Sequence, residues 1–136
     1  MDWIAAAVVT AVVFGILDAL WLGRIGRPLY DQRLGHLMAK QFDMRAALLF
    51  YAIYVLGVTH FVTAPALDNG SLAEVALDGA LFGLVAYATW NLTNLAVLED
   101  YPTSLVPIDM AWGTFATAVT ATLTYVVVEA LPFVGS

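Results

Sequence analysis

The sequence predicts an all-α membrane protein: a transmembrane four-helix bundle with a short amphipathic interfacial helix between helices one and two. Three observations carry that prediction. Of 136 residues, 62% are hydrophobic and only 12% charged, and the mean hydropathy is +0.84, whereas soluble domains run at about half apolar and a quarter charged. A chain this short cannot bury so much apolar surface in a core of its own, so lipid has to cover the remainder. Four stretches, about 3–22, 46–64, 79–98 and 107–131, reach the roughly 20 mostly apolar residues that cross a bilayer. The runs do not alternate with period two, and four segments cannot close a barrel. Residues 1–136 are expected to form one integral membrane domain.

The first span runs from Trp3 to Leu22 and is interrupted only by Asp18. Its leader is Met1-Asp2, without the basic segment of a signal peptide, so it is expected to be retained. The second runs from Ala46 to Ala64, carries His60 and ends at Pro65, a residue that breaks helices. The loop from Pro65 to Glu74 holds Asp68-Asn69-Gly70-Ser71 and reads as a turn. The third span follows Asp78 and stops at Leu98, before Glu99-Asp100. A short connection with Pro102 leads to Thr103 or Ser104 as candidate caps of the fourth span, which reaches Leu131. Spans three and four should therefore be antiparallel neighbours. Gly79 and Gly83, and Gly113, Thr117 and Ala121, form small-residue steps of the kind that let membrane helices approach closely.

The formal charge is −6, but its distribution matters more than its total. Arg24, Arg27, Arg33, Lys40 and Arg45 are the only basic residues, and Ala46 to Ser136 contains none. Basic residues collect in cytoplasmic loops, so the loop 23–45 is expected inside and both termini outside, in a multi-pass protein of the cell membrane. Trp3 then falls at the outer interface, and Trp21 and Tyr30 at the inner one, where amphipathic rings lie. Within the loop, Leu29, Tyr30, Leu34, Leu37 and Met38 recur at helical spacing after Pro28. Arg33, His36 and Lys40 stand between them, the pattern of a helix lying on the inner leaflet. Arg24, Arg27, Arg33 and His36 are its expected interface residues, and membrane lipid the expected partner. No basic stripe extends further, which argues against nucleic acid.

No cofactor or metal is expected. There is no cysteine, which excludes disulfides, thiolate metal sites and Cys nucleophiles. His60 has no second His in its span and reads as a packing residue. Phosphate loops, nucleophile elbows, zinc motifs and haem-attachment patterns are all missing.

Ionisable groups inside spans are costly and point to function by default. Asp18 lies about one turn from the inner end of helix one, where the helix dipole disfavours a carboxylate. It calls for a proton, water, or a partner such as Arg24, an Asn or an indole N–H. Asp109 falls in the expected first turn of helix four, where free N–H groups stabilise a carboxylate. Asp78 and Glu129 lie near outer ends, close to water. On helix three, Asn91 and Asn94 share a face, with Tyr87 and Trp90 adjoining it. Asp18, Trp21, Asn91, Asn94, Asp109 and Trp112 therefore meet at one depth from three helices. With Tyr87 they are the candidate binding residues, forming either a structural network or a site open to the cytoplasm. Helices one and four also share apolar-D-x-x-W, in Leu17 to Trp21 and Ile108 to Trp112. Such an echo in opposed directions fits, weakly, an inverted repeat.

The chain resembles a family of small predicted membrane proteins, domain of unknown function 2177. The resemblance rests on Asp18 to Trp21 (D-A-L-W), Arg33 to Leu37 (R-L-G-H-L), Ala47 to Tyr51 (A-L-L-F-Y), Gly79 to Thr89 (G-A-L-F-G-L-V-A-Y-A-T), Leu92 to Ala96 (L-T-N-L-A) and Asp109 to Thr114 (D-M-A-W-G-T). It covers nearly the whole chain and implies an integral membrane protein without an assigned activity. It also implies an acidic residue at the place of Asn91, so that this chain carries one ionisable group fewer there.

Three functions fit the residues. The favoured one is binding or translocation of a lipid or small molecule through the inner-facing polar cluster, with Asp18 as a protonatable coupling group. One four-helix protomer is narrow, so transport would call for a homodimer or larger membrane assembly. A structural or assembly subunit comes second. A membrane-embedded enzyme acting on lipid through Asp18 and Asp109 comes last, because the cluster contains no His.

Overall fold

A computed structural model describes residues 2–37 and 43–131. Met38 and Lys40, and the side chains of Arg27, Tyr30 and Leu37, lie outside the described residues, and with them part of the expected interfacial pattern. Helix α1 (Asp2–Leu20) continues through a π-helical segment, Trp21–Gly26, into α2 (Arg27–Leu34) and a 3-10 turn, Gly35–Leu37. Helix α3 (Met44–Val58) runs through a second π-helical segment, Thr59–Thr63, into α4 (Ala64–Asn69). Two long helices follow, α5 (Leu72–Val97) and α6 (Leu105–Ala130), and no strand occurs among the described residues. Residues 3–20, 44–69, 72–97 and 105–130 are each long and apolar enough to cross a membrane. The all-α architecture, the four spans and the short helix between the first two agree with the expectation.

Two boundaries differ from it by several residues. Pro65 does not end the second span, which extends to Asn69. In a regular helix the proline ring would meet the carbonyl four residues back. The π-helical turn before it changes the pairing: the Ala64 N–H donates to the Thr59 carbonyl, five residues back, a wider turn of the kind π-bulges supply. The Thr59 hydroxyl donates to the Val55 carbonyl at 2.8 Å and the Thr63 hydroxyl to the Thr59 carbonyl at 3.4 Å. The third span correspondingly starts at Leu72 rather than near 79, because Ser71 caps it. Its Oγ accepts from the Glu74 N–H at 3.2 Å, a standard N-cap bond. Only Gly70 and Ser71 remain of the expected loop.

The most extensive helix contact is between α5 and α6, as the short connection predicts. Gly79 and Gly83 are buried there. A Cβ on Gly79 would come within 3.1 Å of the α6 backbone at Ala118, and one on Gly83 within 2.7 Å of the Thr117 hydroxyl. Helix α1 packs against α6 on another side, where the Thr10 and Thr124 hydroxyls lie 3.3 Å apart. The α3–α4 rod joins the bundle through Thr59–Thr63, which touches α1, α5 and α6. Just before that segment Tyr54 packs on Phe14 with ring centroids 4.5 Å apart, and its hydroxyl lies 2.5 Å from the Thr117 hydroxyl. No α3 side chain before Tyr54 is buried, so this half of the rod stands off from α5 and α6.

The same end carries the basic segment. Arg33 Nη1 donates to the Ser104 hydroxyl, and His36 Nε2 lies 3.2 Å from the Asp100 carbonyl oxygen. The segment after α1 is thereby latched to the α5–α6 connection, where Asp100 turns the chain at φ 63°. Ser104 is the N-cap by position, but its side chain makes no capping bond. The Leu105 and Val106 N–H groups are instead taken by the Pro102 and Thr103 carbonyls at 3.2 Å. Arg33→Ala should speed deuterium exchange of the amides in 99–104 without changing the spans. Unchanged exchange there would show that the latch does not order the connection.

Candidate functional site

Between the divergent half of α3 and the α5–α6 pair lies a cavity of about 420 Å³, lined by Phe50, Ala86, Tyr87, Trp90 and Asp109. Ligand pockets run from about 300 to 1,000 Å³, so the volume suits a small ligand. Phe50 and Trp90 are 55% and 59% exposed, which puts the mouth on the side of the bundle, where lipid would lie. Asp109, only 5% exposed, is the one charged group in the lining.

The polar cluster behind the cavity is built on Asn91, which is fully buried. Its Nδ2 donates to Asp109 Oδ2 at 2.7 Å and to the Tyr87 carbonyl at 2.9 Å. The Tyr101 hydroxyl donates to Asn91 Oδ1 at 3.2 Å and lies beside Asn94 and Trp90. Burial pushes the Tyr101 phenol up from its ordinary value, so it remains a neutral donor at physiological pH. Amides are costly in hydrocarbon unless paired, and here the whole Asn91 amide is used. An amide can donate to Asp109, whereas an ionised carboxylate in its place would repel it.

Asp109 is satisfied differently from the expectation. Because α6 begins at Leu105, Asp109 lies beyond the first turn, past the free N–H groups, and takes the Asn91 donor instead. Asp18 is half-buried and within electrostatic range of Asp109 and of the Tyr51 and Tyr54 hydroxyls. Arg24, one of the partners considered for it, is exposed. The echo between helices one and four corresponds to a physical contact. Trp21 and Trp112 stack with centroids 4.5 Å apart and planes 8° from parallel, while the Trp112 indole N–H is buried without a hydrogen-bond partner.

The candidate residues therefore form two adjoining groups. Tyr87, Asn91 and Asp109 belong to the cavity and its back wall, with Asn94 half-buried at the edge. Asp18, Trp21 and Trp112 make a second group on the α1–α6 side. His60 departs from its expected packing role: it is exposed and sets its ring edge-on to Phe61 at 4.8 Å. Among the described residues, no three His, Cys, Asp or Glu side chains converge on a possible metal position. Phe50, Ala86 and Tyr101 escaped sequence reasoning. The first two read as ordinary members of apolar runs, and Tyr101 as a loop residue, although an aromatic beside Pro102 in so short a connection is a signal of docking.

The family model of predicted membrane proteins described as domain of unknown function 2177 matches residues 3–126. The chain belongs to this family. The match takes in the first three crossing helices and the fourth as far as residue 126, including Asp18, Asn91 and Asp109, so cavity and cluster lie wholly inside the region that DUF2177 defines. No curated protein and no solved structure matches the chain.

Proposed function

We propose that this DUF2177 protein binds a small amphiphile taken sideways from the membrane into the cavity between α3, α5 and α6. The observation that carries the reading is the cavity itself: apolar and aromatic walls, a lateral mouth, and a single carboxylate at its depth. Such a combination of an apolar body with few polar groups is what ligand pockets present. The basic residues of 23–45 favour the cytoplasmic side for this end, and on this reading the mouth opens in the inner leaflet with both termini outside. Translocation through so narrow a bundle would need a second copy of the chain. One domain suffices for binding, since every lining residue belongs to the α3–α6 region.

Photo-crosslinking with a diazirine-bearing alkyl amphiphile tests this. Adducts are expected on α3 and α5 around Phe50, Ala86 and Trp90, and Ala86→Phe, which adds bulk to the cavity wall and keeps both Asn91 and Asp109, should reduce them about tenfold. Adducts spread over exposed residues such as Leu77 and Leu81, and unaffected by Ala86→Phe, would contradict binding in the cavity. Full pairing of Asn91 favours a second reading, in which the cluster only fixes helix packing. On that reading Ala86→Phe changes no adduct.

A further inference from the structure

Away from the cavity, the core of the bundle holds a set of buried hydroxyls. Thr10, Thr59, Thr63, Thr117, Thr120 and Thr124 are all fully buried, where a hydroxyl without a partner is costly. Thr59 and Thr63 donate to the carbonyls four residues back in their own rod, as threonines in membrane helices commonly do. Thr117 pairs with the Tyr54 hydroxyl of α3 at 2.5 Å, and Thr124 with the Thr10 hydroxyl of α1 at 3.3 Å. Thr120 does neither. Its Oγ1 is shielded from the surface and has no hydrogen-bond partner among the described residues. If this place were dry, valine would match the shape of threonine without the unsatisfied oxygen.

The neighbours of Thr120 supply partners at one remove. It stands three residues after Thr117 and four before Thr124, so the three share one face of α6 with Cβ atoms about 5–6 Å apart. One water molecule making two hydrogen bonds of about 2.8 Å each spans that separation. Each neighbouring pair shares one bond, and a hydroxyl oxygen has two lone pairs, so both pairs can take a further one. Between Gly113 and Thr124 every buried residue of α6 is Gly, Ala or Thr, so no larger α6 side chain occupies this face. We infer that Thr120 binds an internal water. Buried waters occur where they satisfy two to four otherwise unpaired polar groups. This one joins the Tyr54–Thr117 pair to the Thr10–Thr124 pair, and so links α1, α3 and α6 through a single polar network. Thr120 does not line the cavity, and the water site stands whether or not the cavity holds a ligand.

Magnetisation transfer from water to protein tests this by NMR on the full chain in nanodiscs, with threonine methyl groups protonated in a deuterated background. The methyl of Thr120, and that of Thr117 or Thr124 beside it, should gain intensity from water. Those of Thr59 and Thr63, equally buried but bonded to their own rod, should stay at background. Thr120→Ser, which keeps the oxygen, should retain the signal at the neighbouring threonine, and Thr120→Val, which keeps the shape alone, should lose it. Thr120→Val should also lower the unfolding midpoint by about 3 °C or more, because the water and the hydroxyls around it lose a partner. For a dry hydroxyl the same substitution removes an unsatisfied group and raises the midpoint. Transfer at Thr120 no greater than at Thr59, or a midpoint that stays or rises in Thr120→Val, overturns the assignment.

Discussion

Gly113→Ala is expected to lower the stability of the bundle by about 2–3 kcal/mol, measured by reversible unfolding in mixed micelles. Alanine exceeds glycine in helix propensity by about 1 kcal/mol, so in open space the substitution would stabilise α6. At this position the added methyl falls onto Cγ, Cδ1 and Cδ2 of the Tyr87 ring. A ring cannot yield as a flexible chain end does, and the α5 backbone that carries it is held by Gly83, whose own missing Cβ faces the Gly113 carbonyl and Thr117. The helices must therefore separate or Tyr87 must turn into the cavity. Tyr87→Ala in the same chain removes the obstruction and should recover most of the loss. Gly23→Ala is the control, since nothing lies within 4 Å of a Cβ there. If Gly113→Ala is as well tolerated as Gly23→Ala, the close approach of α5 and α6 is not as described.

Asn91→Leu should cost about 3 kcal/mol or more, although the two side chains are similar in size and lipid surrounds the bundle. The substitution removes the donor to Asp109 Oδ2 and the acceptor for the Tyr101 hydroxyl, and leaves both groups in a buried place. Removing one partner of a buried polar pair is more costly than removing both. The double substitution Asn91→Leu with Asp109→Leu should therefore be less destabilising than the sum of the single ones. Asn94→Leu, at a half-buried position, should cost less than about 1 kcal/mol. Equal losses at positions 91 and 94 would show that the amide at 91 is not the centre of the network.

How much of this was legible follows from the kind of signal each residue sends. Span number and order are a matter of apolar run length, which lipid imposes directly, and the antiparallel α5–α6 pair follows from the short connection and the glycine steps. The common depth of Asn91 and Asp109 was readable because polar groups in hydrocarbon must find each other. Pro65 misled because its effect depends on the hydrogen bonds before it, and the π-helical turn at Thr59–Thr63 has no sharp sequence signature. Pro107, read as the helix start, puts Asp109 in the first turn. The helix in fact begins two residues earlier, which moves the carboxylate from backbone donors to Asn91. The cavity itself was not legible. It arises from the divergence of α3 from α5, a tertiary outcome that apolar residues such as Phe50 and Ala86 do not announce individually. The stacking of Trp21 on Trp112 was only half visible, as an echo in two motifs.

The central claim is that the cavity beside Asp109 holds a small molecule. Native mass spectrometry of the chain extracted with its own membrane lipids tests it most directly. The unaltered chain should carry one tightly held small molecule that dissociates only at high collision energy, and Ala86→Phe, equally folded, should appear without it. Identical adduct patterns for the two chains, or a bare chain in both spectra, would contradict the account.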